Sequence, residues 1–248
     1  MARRTGFTLV EFLVVVGIVA LLLALFMPAA EYARSRARTV HCLSNLRQMG
    51  LAFQMYVNDN RGRSLNYSTA AGCFWMDALR PYSGDINLIG KCPEAWESGY
   101  GWGSVDAAWG PVLGNPLFDK VSGSYAINAW LYGNDADRPG LRGVQRWGIE
   151  PASSYIDLPA PESWRVPLFA DSGWVDAAPY DWNPPGDLVS GRGGGDMARV
   201  CIKRHNRRCT NVVFLDGHAE SVFLPRLWRL KWSNDFRPHD MTIPGLGQ

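Results

Sequence analysis

The pattern of apolar and polar positions changes its rhythm along this chain. From Phe7 to Met27 it is apolar throughout, with Glu11 as the one charge and Thr8 as the other strongly polar residue. About 20 helical residues at 1.5 Å each cross a hydrocarbon core of ~30 Å, so the run predicts a membrane span over about 7–27. Further on, Cys42, Leu46, Met49, Phe53 and Tyr56 recur at steps of four, three, four and three, flanked by Leu43, Gly50 and Val57. Arg34, Arg38, Asn45, Arg47, Gln48 and Gln54 lie off that line. This is one apolar stripe at helical period, and it predicts an amphipathic helix over 29–58 that follows the span without a linker. Asn58-Asp59-Asn60-Arg61-Gly62 supplies turn residues and a glycine to end it. The whole N-terminal helix is expected over 7–60, bent at Pro28, where a backbone donor is missing.

The C-terminal third changes to a strand rhythm. Val166 to Asp171 reads as a buried strand ending in an acidic residue. Thr210 to Leu215 is β-branched and apolar, Asp216-Gly217 follows, and His218 to Phe223 alternates. Asp-Gly between two such runs is a strong hairpin signal. Cys201 to His205 is a candidate further strand, Ser124 to Leu131 a strand or short helix, and Pro225 to Trp232 a short basic-aromatic helix or coil. Glycine and proline make residues 172–198 a loop. Over 61–165 no clean period emerges, and long loops are expected there, held by Trp96, Trp102, Trp109, Trp130 and Trp147 in the core.

Composition narrows the class. The 248 residues leave roughly 220 after the apolar run, enough for one domain with its own core, placed at 61–248. A net charge of +2 favours neither nucleic acid nor an acidic ligand, and no nucleic-acid partner is expected. Eleven tryptophans beside 26 glycines and 16 prolines point to a loop-rich domain rather than a helical bundle. The five cysteines (Cys42, Cys73, Cys92, Cys201 and Cys209) contain no Cys-x-x-Cys pair. Gly193-Gly194-Gly195 lacks the Lys-Ser/Thr of a phosphate loop, and neither a Gly-x-Ser-x-Gly nor a His-Glu-x-x-His is present.

Glu11 is the residue that an ordinary span does not explain. A carboxylate in an apolar helix costs roughly 2.5–3.5 kcal/mol on insertion scales. A positive partner would offset that cost. A cut between Gly6 and Phe7 would create one, an α-amino group that could meet Glu11 of a neighbouring copy.

Arg3-Arg4-Thr5-Gly6, then Phe7-Thr8-Leu9-Val10-Glu11, then the apolar run and Pro28, resembles the leader of type IV pilins and type II secretion pseudopilins. The resemblance implies a leader of residues 1–6, removed after Gly6 by prepilin peptidase, with methylation of Phe7 and Glu11 as the assembly residue. It also implies insertion in the inner membrane with the globular domain outside the cytoplasm, in the periplasm. The fold it implies is pilin-like α+β, with the long helix packed on an antiparallel sheet carrying large loop insertions. Partners would be other pilin-like subunits, as homo- or hetero-oligomer. Cys42 to Ala52, Cys92-Pro93 and Ser124 to Asn128 are similar to segments of a large pseudopilin-like family. A domain outside the cytoplasm can keep disulfides, and the family-like segments make Cys42 and Cys92 one candidate pair. Cys201 and Cys209, which bracket His205, are the other.

Members of that family carry a His-x9-Asp-Gly signature near the C-terminus. Here ten residues separate His205 from Asp216-Gly217. Two readings stay open. In one, Asp216 accepts turn amides while His205 and His218 hydrogen-bond the edge of the domain. In the other, Asp171, His205, Asp216 and His218 hold a divalent metal, with zinc or manganese suited to such ligands and calcium less so. The overall expectation is a structural filament subunit that is not an enzyme and needs no cofactor beyond that metal. The alternative is a membrane-anchored module whose aromatic domain recognises glycan or peptide.

Overall fold

The computed structural model describes residues 8–65, 75–96, 101–111, 121–132, 158 and 160–246. It is an α+β protein with a long N-terminal apolar helix and a mixed five-stranded sheet. Packing divides it into two compact units, Met1–Ala37 and Arg38–Gln248. Helix α1, Leu9–Asp59, contributes to both and runs through Pro28.

Within the first unit α1 carries a stretch of mean hydropathy 3.0 with none of it buried. Its leucines, valines and phenylalanines from Leu9 to Met27 are exposed. By length and composition this is a helix able to cross a membrane once.

Within the second unit the helical stripe does what its period predicts. Cys42, Leu46, Met49 and Phe53 are buried, Leu43, Tyr56 and Val57 pack half-buried beside them. Asn45, expected off the stripe, is buried too, because its amide donates to the Lys91 carbonyl at 3.0 Å. Gly50 brings the helix backbone close to the sheet. A Cβ there would lie 3.0 Å from Cγ2 of Val213. The helix ends where Arg61 and Gly62 turn left-handed (φ +58° and +80°) and Gly62 N–H closes onto the Val57 carbonyl.

Two short helices follow, α2 (Trp75–Leu79) and α3 (Ile86–Ile89), the latter capped by Asp85. The sheet strands are β1 (Tyr125–Asn128), β2 (Pro167–Asp171), β3 (Asp176–Ala177), β4 (Cys209–Phe214) and β5 (Ala219–Phe223), in the order β3-β1-β2-β4-β5. Ser124 to Leu131 resolves into both expected forms, strand β1 followed by a 3-10 turn at Ala129–Leu131.

The expected all-antiparallel sheet is corrected in one place: β3 pairs parallel to β1. After β2 the chain returns through Ser172–Val175 past the end of β1. The other side of β2 is already taken by β4, so β3 joins the outer edge. Cys201 to His205 is not a strand. Helix α4 (Asp196–Val200) precedes it, and only His205 forms a bridge, with Cys209.

The hairpin β4–β5 stands where Asp216-Gly217 predicts it, with a three-residue loop. Phe214 N–H bonds the His218 carbonyl, and Gly217, at φ +90°, bonds back to the Phe214 carbonyl. That is a tight turn completed by a left-handed glycine. Of the expected core tryptophans, Trp109 and Trp130 are buried. Trp96 and Trp102 are exposed, and Trp147 lies outside the described residues. Trp75, Trp228 and Trp232 complete the core instead.

Candidate functional site

Two places in the chain hold chemistry that the fold alone does not require. The first is the start of α1. Thr8 and Glu11 form a reciprocal cap: the amide and Oγ1 of Thr8 donate to Glu11 Oε2 at 2.8 and 2.7 Å, and the Glu11 amide donates to Thr8 Oγ1 at 3.3 Å. This is a Thr-x-x-Glu capping box, which satisfies amides that the first helical turn leaves orphaned. Glu11 therefore has a local role besides any partner. The pattern was present in the sequence and is the signal that an argument from charge alone passes over. Gly6 and Phe7, the expected processing residues, lie outside the described residues.

The second place is a buried cluster at one end of the sheet. β2 and β4 are antiparallel, so the C-terminal end of β2 lies beside the N-terminal end of β4. Asp171 closes β2 and His205 stands in the turn leading to β4. His205 Nε2 lies 3.0 Å from Asp171 Oδ2, with both side chains fully buried. Cys42 reaches the same point from α1, its Sγ 3.6 Å from Asp171 Oδ2. Cys92 reaches it from the loop after α3, its Sγ 3.4 Å from His205 Nε2. One donor atom from each of Cys42, Cys92, Asp171 and His205 lies within 4.8 Å of all the others.

The surroundings fix these four groups. Arg204, buried, donates to Asp171 Oδ1 at 3.0 Å and to the carbonyls of Ser104, Val105, Ser124 and Ser172. The Asn211 amide donates to Asp171 Oδ2 at 2.9 Å. Thr39 Oγ1 lies 3.2 Å from Nδ1 of His205, and the Tyr125 hydroxyl donates to Cys42 Sγ at 3.3 Å. Ser124 Oγ holds the Cys92 amide.

Charge follows from this geometry. Burial alone would raise the Asp171 carboxyl, but His205 and Arg204 outweigh it and hold it down at about 2. Burial works against a charged His205 as well, yet the Asp171 carboxylate wins and raises it to about 10. Cys92 is pulled down to about 7: burial opposes ionisation, while Cys42, His205 and Arg204 favour it. Burial drives Cys42 and Tyr125 upward.

The metal set read from the sequence is thus divided. Asp171 and His205 come together. Asp216 and His218 do not join them, because they lie beyond the far end of β4, a six-residue strand about 20 Å long. They form an exposed turn pair instead. Asp216 Oδ1 accepts the His218 amide at 3.1 Å and lies 2.6 Å from His218 Nδ1, and the His218 ring stacks on Phe214. The structural reading of the Asp-Gly turn describes this end of the hairpin. His205 and Asp216, joined by the sequence signature, are held apart by the strand between them.

Cys42, Cys92 and Cys201 are free thiols here. Cys42 and Cys92 are neighbours in the cluster. Cys201 is buried, and its thiol is pushed up to about 12 by desolvation, whereas Cys209 is half-buried on β4. Cys73 lies outside the described residues.

The cluster does not resemble a cysteine nucleophile site. A nucleophile, base and orienting group need two ring nitrogens used in relay, and here Cys92 and Asp171 share Nε2. No family profile, curated protein or solved structure matches the chain.

Proposed function

We propose that this protein is a pilin-like structural subunit, anchored by α1 in the inner membrane and assembled with other such subunits into a filament of the type II secretion or type IV pilus kind. The observation that carries the reading is the double character of α1. A single helix bears a fully exposed apolar stretch with a glutamate in its first turn, then a buried stripe that packs on a sheet. A plain anchor would use the glutamate only as a helix cap, and a secretory signal would be removed before the stripe began. The leader Arg3-Arg4-Thr5-Gly6 and Phe7 add the processing signal. The domain then faces the periplasm, where it meets neighbouring subunits.

The test is the mature N-terminus. Mass spectrometry of the protein isolated from its own membrane is expected to give a chain starting at methylated Phe7. A chain starting at Met1, or after Ala30, would remove the reading.

A second reading, a membrane-anchored module that binds glycan or peptide, is favoured by one surface feature. Trp182 is 72% exposed and stacks on Tyr180 with ring centroids 4.4 Å apart. The pair borders a cavity of about 190 Å³ that also contains Asp181 and Asp235. An aromatic platform beside carboxylates suits a sugar face. Titration with oligosaccharides tests it: Trp182→Ala is expected to weaken any binding at least about tenfold, and absence of binding by the parent protein rejects the module.

A further inference from the structure

Four side chains from distant parts of the chain converge on one buried point, and their chemistry is that of a metal site. We propose that Cys42, Cys92, Asp171 and His205 form a closed tetrahedral site for zinc that fastens α1 to the sheet. This stands apart from the filament reading, since any role of the domain would use it.

The spacing is the first argument. Zinc holds sulfur at about 2.3 Å and nitrogen or oxygen at about 2.0–2.2 Å, so neighbouring donors on a tetrahedron stand roughly 3.3–3.8 Å apart. The Cys92–His205 and Cys42–Asp171 separations of 3.4 and 3.6 Å already fall in that range. The His205–Asp171 separation is 3.0 Å and needs to open by a few tenths of an ångström. A disulfide would account for the two sulfurs alone. It gives no reason for an imidazole and a carboxylate to converge on the same point.

The donor set is the second argument. Thiolates and imidazole exclude calcium and magnesium, which take oxygen ligands, and select zinc among the common divalent ions. The charges also close. Two thiolates and the Asp171 carboxylate balance a divalent ion together with the Arg204 guanidinium, with His205 neutral.

The groups behind the donors are the third. Thr39 Oγ1 can accept Nδ1–H of His205, which leaves the Nε2 lone pair for the ion. Arg204 holds Asp171 Oδ1, while Oδ2, which accepts the Asn211 amide, keeps a second lone pair and lies 3.6 Å from Cys42 Sγ. The Tyr125 hydroxyl donates to Cys42 and steadies a thiolate there. All four donors belong to the protein and none is open to solvent, so the site holds structure and offers no position to a substrate. A buried site of this kind must fill as the domain folds.

The experiment uses the full chain in detergent, purified without chelator. Elemental mass spectrometry is expected to find zinc at one equivalent per chain. After stripping under reducing conditions and refolding with cobalt(II) alone, the visible spectrum should show the intense bands of tetrahedral cobalt with thiolate charge transfer. Tyr125→Phe, which keeps all four donors, should weaken metal affinity roughly 10–100-fold against a chelator. Asp216→Asn with His218→Gln should leave it unchanged. A Cys42–Cys92 disulfide in non-reducing peptide maps overturns the proposal. So does a reduced, folded parent chain that takes up no cobalt, a result that does not depend on whether cysteine variants fold.

Discussion

Arg204 and Asp171 form a fully buried ion pair, Nη1 to Oδ1 at 3.0 Å, in the interior of the sheet domain. The same guanidinium bonds four backbone carbonyls from the loops around it. Cutting one side of such a pair leaves the other charge and those carbonyls dry and unpaired. Arg204→Met is therefore expected to cost roughly 3–5 kcal/mol. For a domain of this size that corresponds to a fall in Tm on the order of 10 °C, read by thermal unfolding. Unchanged stability would mean that water reaches the cluster.

In the reduced, metal-stripped chain the cluster also sets a pH profile. Asp171 is held at about 2, below its ordinary 3.8, by His205 and Arg204 against burial. Its contribution to stability is present above 3.8 and is lost as pH falls toward 2. His205 is raised from 6.5 to about 10 by Asp171, again against burial. Its contribution is complete below 6.5 and is lost as pH rises through 10. Cys92, lowered to about 7, returns part of that loss between 7 and 9, while the raised Cys42 and Tyr125 add to it at higher pH. Denaturant titrations that compare the parent with a chain lacking the Asp171–His205 pair should find the cluster's contribution greatest from about pH 4 to 6.5, with a decline on the alkaline side. A contribution that rises steadily from pH 7 to 10 would contradict the Asp171–His205 pairing.

The contact of α1 with β4 yields a packing prediction. Gly50→Val places a branched side chain where Val213 Cγ2 already lies 3.0 Å from a Cβ position. Overpacking of this kind typically costs 1–3 kcal/mol. The double variant with Val213→Ala should recover part of the loss, because the two sites share one contact. Equal losses in single and double variants, measured by chemical denaturation, would show that the helix does not rest on β4 at this point.

Much of the fold was legible because local rhythm decides it. The period of Cys42, Leu46, Met49 and Phe53 is the period of one helix face, and those residues are buried. Asp216-Gly217 demanded a tight turn, and the hairpin forms around it. Strand β3 was not legible: it is two residues long, within a glycine- and proline-rich stretch, and tertiary pairing alone makes it a strand. The cluster was legible only in halves. Cys42 with Cys92 stood out as a candidate disulfide, and Asp171 with His205 only within a metal set that also held Asp216 and His218. Antiparallel pairing of β2 with β4 instead brings Asp171 to His205 and carries Asp216 to the opposite end.

Glu11 now carries two explanations that one substitution separates. As the acidic partner in the Thr8 capping box it needs only an oxygen acceptor, which glutamine also supplies. As the partner of a neighbouring subunit's N-terminal amine it needs its charge, and losing it leaves that amine desolvated at a cost of roughly 3–5 kcal/mol. The deciding measurement is the amount of Glu11→Gln protein in sheared filaments, relative to a membrane-fraction control. The filament account predicts a protein that is made, inserted and cleaved normally yet falls by a factor of several hundred or more in the filament fraction, consistent with that cost. Normal incorporation of Glu11→Gln would contradict it and leave Glu11 as a helix cap alone.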